Sequence, residues 1–163
     1  GAISGAHFNP IVTLAFLLRG DLPITRAGAF IAAQIIGAIA GVILTHAMFD
    51  QNLFQLSQTP RSGGPLWVSE IFASFGLLLI IFGGLAQNSK AIAAMVALYI
   101  TGAYWFTAST SFANPAVSIA RALSDSFAGI YPAHVPMFIL CQLIGMVLAL
   151  WGVRAIFGRA SSG

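Results

Sequence analysis

Two asparagines are the residues of this chain best placed to act on a passing molecule. Asn9 and Asn114 each stand directly before a proline, and nearly the same text follows twice: "NPIVTLAF" from Asn9 and "NPAVSIAR" from Asn114. Asn, Pro, Val and Ala recur in register, while Thr13 and Leu14 are exchanged for Ser118 and Ile119. Asparagine is a favoured N-cap, and proline suits the first helical position because its missing N–H is not needed there. Each motif therefore reads as an abrupt helix start, at Pro10 and at Pro115, with an amide at its tip that both donates and accepts. Two such starts facing one another place two positive dipole ends, about half a charge each, at one point. Such an arrangement favours a neutral or negative oxygen over a cation.

The elements that must hold these motifs lie in a membrane. The chain is 58% hydrophobic and 7% charged, against about 25% charged residues in soluble domains. Four stretches carry no charge at all: 27–49, 71–89, 91–120 and 126–153. A helix needs about 20 apolar residues to cross the hydrocarbon core, so the sequence predicts spans over 24–49, 66–87, 91–109 and 134–157. The polar stretch 50–65 and the "NSK" turn before Ala91 connect them. The segments 9–18 and 114–123 are too short to cross. Ten helical residues rise about 15 Å, half of a ~30 Å core, so both read as half-helices starting inside the bilayer. Irregular backbone at that depth survives only where protein or a water-filled cavity shelters it. No basic leader precedes a short apolar segment, so no cleavable signal is expected. The net charge of +3 is scattered and leaves no nucleic-acid footprint. Cys141 is the single cysteine, read as facing core or lipid, and no His/Cys cluster has metal spacing.

The repeat is longer than eight residues. Asn9 is followed by "QIIGAIAG" from Gln34, and Asn114 by "QLIGMVLA" from Gln142. The unit is half-helix, loop, then a span carrying Gln-x-x-Gly, and the intervening spans make the two units face opposite ways, as in transporter and channel folds. Gln34 and Gln142 are expected to hydrogen-bond the re-entrant loops, because a polar side chain within a span needs a buried partner. With the turn near Lys90 cytoplasmic, that side holds Arg19, Arg26, Lys90, Arg154 and Arg159 against Asp21. The other side holds Arg61 and Arg121 against Asp50 and Asp125, so basic residues favour the cytoplasm as expected.

"SGAHFNP" with a second "NPA" in such a repeat resembles the aquaporin, or major intrinsic protein, family over essentially the whole chain. The resemblance implies an all-α membrane protein with an aquaporin-like inverted repeat: six spans and two half-helices in the family fold, four spans and both half-helices here. It implies one domain over 1–163, incomplete at the N-terminus, with 1–49 the rest of the first repeat and 66–163 the second. By the same resemblance, Asn9, Pro10 and Ile11 with Asn114, Pro115 and Ala116 are the pore motifs. The carbonyls of Gly5, Ala6 and His7, and of Ser111, Phe112 and Ala113, line the approaches. His7 presents its carbonyl or ring to the pore or else braces its loop. Glu70 resembles the family's buried acid that braces the second loop, the other reading being an interfacial charge that snorkels.

The filter departs from the family. Val117 stands where an Arg usually follows Asn-Pro-Ala, Gly102 where water-selective members have a His, and Ser111 three residues before Asn114. Gly102, Ser111 and Val117 imply a wide, uncharged constriction, and Ile11 in place of Ala is a departure of bulk. Arg121 lies one helical turn after Val117, where it either restores charge near the outer mouth or pairs with Asp125. The family likeness, with Val in the Arg place, implies a passive channel of a bacterial arsenic-resistance-associated aquaglyceroporin type. Such a channel passes glycerol, water and uncharged arsenicals while excluding ions and protons, with no reaction, cofactor or metal. Its partners are the lipid bilayer, small neutral solutes and three further copies in a homotetramer, with no nucleic acid, in a bacterial inner membrane. A secondary transporter would need ionisable midplane residues, and a non-conducting scaffold would not need the amides.

Overall fold

The computed structural model describes residues 4–158, and among them all regular structure is helical. The helices are α1 (Pro10–Arg19), α2 (Ile24–Met48), α3 (Gly64–Ala86), α4 (Ile92–Phe106), α5 (Pro115–Arg121) and α6 (Val135–Phe157), with a 3₁₀ turn at Pro132–His134 before α6. Arg159, counted above on the cytoplasmic side, lies outside the described residues. α2, α3 and the stretch Pro132–Phe157 are each long and apolar enough to cross a bilayer.

The expected span 91–109 is shorter than predicted: α4 ends at Phe106 after 15 residues, a rise of about 22 Å. Thr107 turns extended, with φ −102° and ψ 137°, and its hydroxyl donates back to the Ala103 carbonyl at 2.6 Å. α5 is likewise shorter than 114–123, closing at Arg121. Its C-terminal carbonyls are taken by other segments: Ala122 accepts from the Ser57 N–H at 2.9 Å, and Arg121 from the Ile130 N–H at 3.4 Å.

The chain divides into two compact units: residues up to Ser62 with Asn114–Ile139, and Gly63–Ala113 with the residues from Leu140 onward. In the first, α2 packs against both half-helices, α1 and α5, which also touch each other. α1 stops where Gly20 adopts φ +86°, with Gly20 and Asp21 returning N–H bonds to Leu17 and Phe16 at 3.0 Å. Only glycine takes that conformation without cost. The linker 50–63 is not a bare polar turn. The Thr59 carbonyl accepts from Tyr131 N–H at 2.7 Å, and Arg61 donates through Nε to Gly129 and Nη2 to Phe127 at 2.7 and 2.9 Å. His46, the lone histidine of α2, bonds the Leu53 carbonyl at 3.0 Å and Ser124 Oγ at 3.1 Å.

In the second unit, α3 packs on α4, where the Tyr99 hydroxyl donates to the Ala73 carbonyl at 3.0 Å. α6 meets α3 at Gly145, where a side chain would come within 2.4 Å of the Ile71 carbonyl oxygen. The Gln-x-x-Gly pattern thus has a packing reason in its second copy. α2 leaves large apolar side chains exposed, Ile36, Leu44 and Met48 among them, a face that water would penalise at about 25 cal/mol per Å² and lipid or another apolar surface would not.

Candidate functional site

Both half-helices begin as their sequences predict. Asn9 and Asn114 hold extended backbone, with φ −146° and −159°, and Pro10 and Pro115 open the helices. Asn9 Oδ1 accepts from the Ile11 N–H at 3.1 Å, and Asn114 Oδ1 from Ala116 and Val117 at 3.0 and 3.3 Å. Such caps are worth about 1 kcal/mol each. The two helix starts adjoin, because Asn114 Nδ2 donates to the Phe8 carbonyl at 3.1 Å, next to Asn9 in the chain. One of the two N–H groups of that amide is thereby fixed.

A second device repeats, and the sequence reading missed it. Four residues after each cap a hydroxyl returns to the cap's carbonyl: Thr13 to Asn9 at 3.2 Å, Ser118 to Asn114 at 3.0 Å. The Thr13/Ser118 exchange within the repeat was the signal, since these two residues share only a small hydroxyl. Thr13 also accepts from Gln34 Nε2 at 2.9 Å and stands 3.2 Å from His7 Nδ1. The His7 ring packs against Phe16 and Phe30 at centroid distances of 4.8 and 5.4 Å. In this structure the ring braces the loop, and the His7 carbonyl takes the second Gln34 N–H at 2.9 Å.

Gln34, Phe8, Gly37, Asn114, Ala116 and Val117 line a cleft of about 280 Å³ in the first unit. It brings together one amide of the paired motifs, the Gln of the first repeat and Val117. Ile11 is fully buried in the first turn of α1, so its extra bulk goes into packing. Arg121 is half-buried on α5, while the Asp125 carboxylate accepts from the Gln58 N–H at 2.9 Å.

The other candidate residues belong to the second unit. Glu70 is fully buried and takes the Phe112 and Ala113 N–H groups at 2.9 and 3.0 Å. Gln142 Nε2 donates to the same carboxylate at 2.6 Å. Gln34 thus grips its loop directly, whereas Gln142 grips the acid that grips the loop. Three residues of this loop, Thr110, Ser111 and Ala113, have positive φ of 61°, 51° and 46°, as does Ala6, at 62°, beside Gly5 in the first loop. Left-handed backbone in non-glycine residues costs about 1–3 kcal/mol each and persists only where the surroundings impose it. At Ala113 the imposing group is the Glu70 carboxylate, which holds its N–H. Gly102 lies on α4 with the Phe106 ring 3.6 Å from where a side chain would begin. Among the described residues, no three His, Cys, Asp or Glu gather as metal ligands would.

Apolar spanning helices, two proline-started half-helices joined at their caps, and loops held by buried polar side chains define an integral membrane protein with re-entrant segments. The major intrinsic protein family model matches residues 1–107, and the chain belongs to that family, whose members are channels rather than enzymes. The chain is 49% identical over 150 residues to aquaglyceroporin AqpS of Rhizobium meliloti, covering 92% of this chain and 64% of that protein. It is 30% identical to aquaporin NIP1-1 of Zea mays over 165 residues, 96% of this chain and 56% of the relative. To aquaporin-1 of Rhizopus delemar it is 33% identical over 188 residues, 92% and 61% of the two. The chain therefore spans between about half and two thirds of the length of these curated relatives.

Proposed function

We propose that this chain belongs to a passive channel for small neutral solutes, conducting water, glycerol-sized polyols and uncharged arsenicals while excluding protons and ions. The observation that carries the reading is the bond from Asn114 to Phe8 beside a cleft lined by Asn114, Gln34 and Val117. It joins two helix N-termini at a wall with polar amides and no charged side chain. Donor amides favour a solute oxygen, and adjoining helix starts disfavour a cation. In this reading the filter positions are Val117 in the first unit and Gly102 and Ser111 in the second, each small or uncharged, which suits polyols as well as water. The carbonyls of the 5–7 and 111–113 loops supply acceptors along the path. The name of the relative from Rhizobium meliloti, an aquaglyceroporin, supports the polyol assignment. The working form in this reading is a homotetramer in the plasma membrane of a bacterium, with 1–49 and 66–163 the two halves of one inverted-repeat domain.

The test is solute flux through the full natural polypeptide reconstituted in proteoliposomes. Gradients of glycerol, arsenite at neutral pH and sorbitol should give rapid re-swelling for the first two and none for sorbitol, and an internal pH dye should report no proton leak. Sorbitol entry matching glycerol entry, or proton leak in step with solute flux, would contradict the reading.

A further inference from the structure

We propose that Ser69 and Ser109 are positioning residues for solute selection, acting through Ser111. The proposal rests on the channel reading above and adds two residues to it. The Ser109 N–H donates to Ser69 Oγ at 3.0 Å, the two hydroxyls bond each other at 3.0 Å, and the Ser111 N–H donates to Ser109 Oγ at 3.2 Å. All three serines are buried, at 9%, 0% and 6% exposure. The relay runs from α3 into the loop that precedes Asn114, and it ends on a residue whose own hydroxyl is enclosed without a hydrogen-bond partner.

Each part has a physical reason. Thr110 and Ser111 hold positive φ, a conformation that neither residue prefers, so an outside bond must fix it. Glu70 fixes the Asn114 end of the loop through Phe112 and Ala113. Its neighbour Ser69 fixes the other end, through Ser109 to Ser111. Ser69 and Glu70, consecutive on α3, thus hold the backbone N–H groups of Ser109, Phe112 and Ala113 directly, and that of Ser111 through the Ser109 hydroxyl. A buried hydroxyl left unpaired in so firmly held a loop calls for a partner, and a hydroxyl both donates and accepts. Its complement is a neutral solute bearing hydroxyl groups, and the relay sets where along the path that solute finds it.

The test uses the full natural polypeptide in proteoliposomes and reads the ratio of glycerol to water permeability. S69A, S109A and S111A should each lower that ratio roughly fivefold, the factor set by one hydrogen bond of ordinary net strength. S109T, which keeps the hydroxyl, should retain it, and S109A with S109T carries the test even where S69A does not fold. In the S111A background, S69A should lower the ratio no further, since residues acting through one another are not additive. Equal loss of glycerol and water flux in S69A and S109A would reduce the relay to a structural brace and overturn the proposal. So would an S69A effect of the same size with or without Ser111. A wild-type protein passing no glycerol would sink the channel reading and this proposal together, whereas a conducting wild type with an unchanged S69A ratio sinks the proposal alone.

Discussion

Glu70→Gln isolates the support of the second loop. In the native protein one fully buried carboxylate accepts from the Phe112 N–H, the Ala113 N–H and Gln142 Nε2 at 2.9, 3.0 and 2.6 Å. The amide that replaces it has the same shape but a single acceptor oxygen. That oxygen can keep one backbone N–H, while its NH₂ group faces donors. At least one buried N–H is orphaned, and a charge-assisted bond becomes a neutral one. Leaving a buried donor unmet costs about 1–3 kcal/mol, so the local penalty is about 2–3 kcal/mol. At about 1.4 kcal/mol per tenfold change, the loop should open roughly a hundredfold more often. Hydrogen exchange resolved to the 107–113 peptide, on protein in nanodiscs, reads this directly. Exchange at Phe112 and Ala113 should rise by about that factor while the interior of α2 stays unchanged, with glycerol flux falling in parallel. A folded Glu70→Gln protein whose loop exchanges at the native rate would refute the assignment of Glu70 as the loop's anchor.

Three further perturbations test neighbouring parts of the account. Val117→Arg places a long cation in the cleft beside Asn114 and should cut glycerol flux more than water flux; stopped-flow swelling showing equal loss, or none, would remove Val117 from the constriction. Ser111→Cys should make the channel sensitive to mercury, whereas Cys141, only 3% exposed, should give no block of its own; a block abolished by Cys141→Ser and absent from Ser111→Cys would place the path elsewhere. Asn114→Ala removes one cap and the bond to Phe8, and thermal unfolding should report a loss of about 2 kcal/mol, one cap and one net hydrogen bond; an unchanged melting temperature would mean the two helix starts are held together by other contacts.

The sequence carried the helix starts because their physics is local. Asn-Pro fixes a cap and a first-turn φ within two residues, and both half-helices open where those residues stand. The spanning helices were legible for the same reason, through uninterrupted apolar runs. The end of α4 was not, since no charge, Gly or Pro stands between Phe106 and Asn114 and the loop that follows is held by bonds to Ser69 and Glu70, some forty residues earlier in the chain. The same holds for Gln142. Its Gln-x-x-Gly setting matches that of Gln34, yet one reaches a loop carbonyl and the other a carboxylate, and only the fold decides between them. Arg61 read as a loop charge because no motif announces that its guanidinium will meet the carbonyls of Phe127 and Gly129. The hydroxyls at Thr13 and Ser118 were visible as a conserved exchange, but their purpose required the cap geometry.

The central claim is that the paired asparagines make a path for neutral solutes, and the most direct measurement is glycerol-driven swelling of proteoliposomes with both amides present and both replaced. The native protein should re-swell at least tenfold faster than empty vesicles, and Asn9→Leu with Asn114→Leu should return it to the empty-vesicle rate, with the protein still folded by circular dichroism. Native swelling no faster than that of empty vesicles, or swelling that survives both substitutions, would contradict the account.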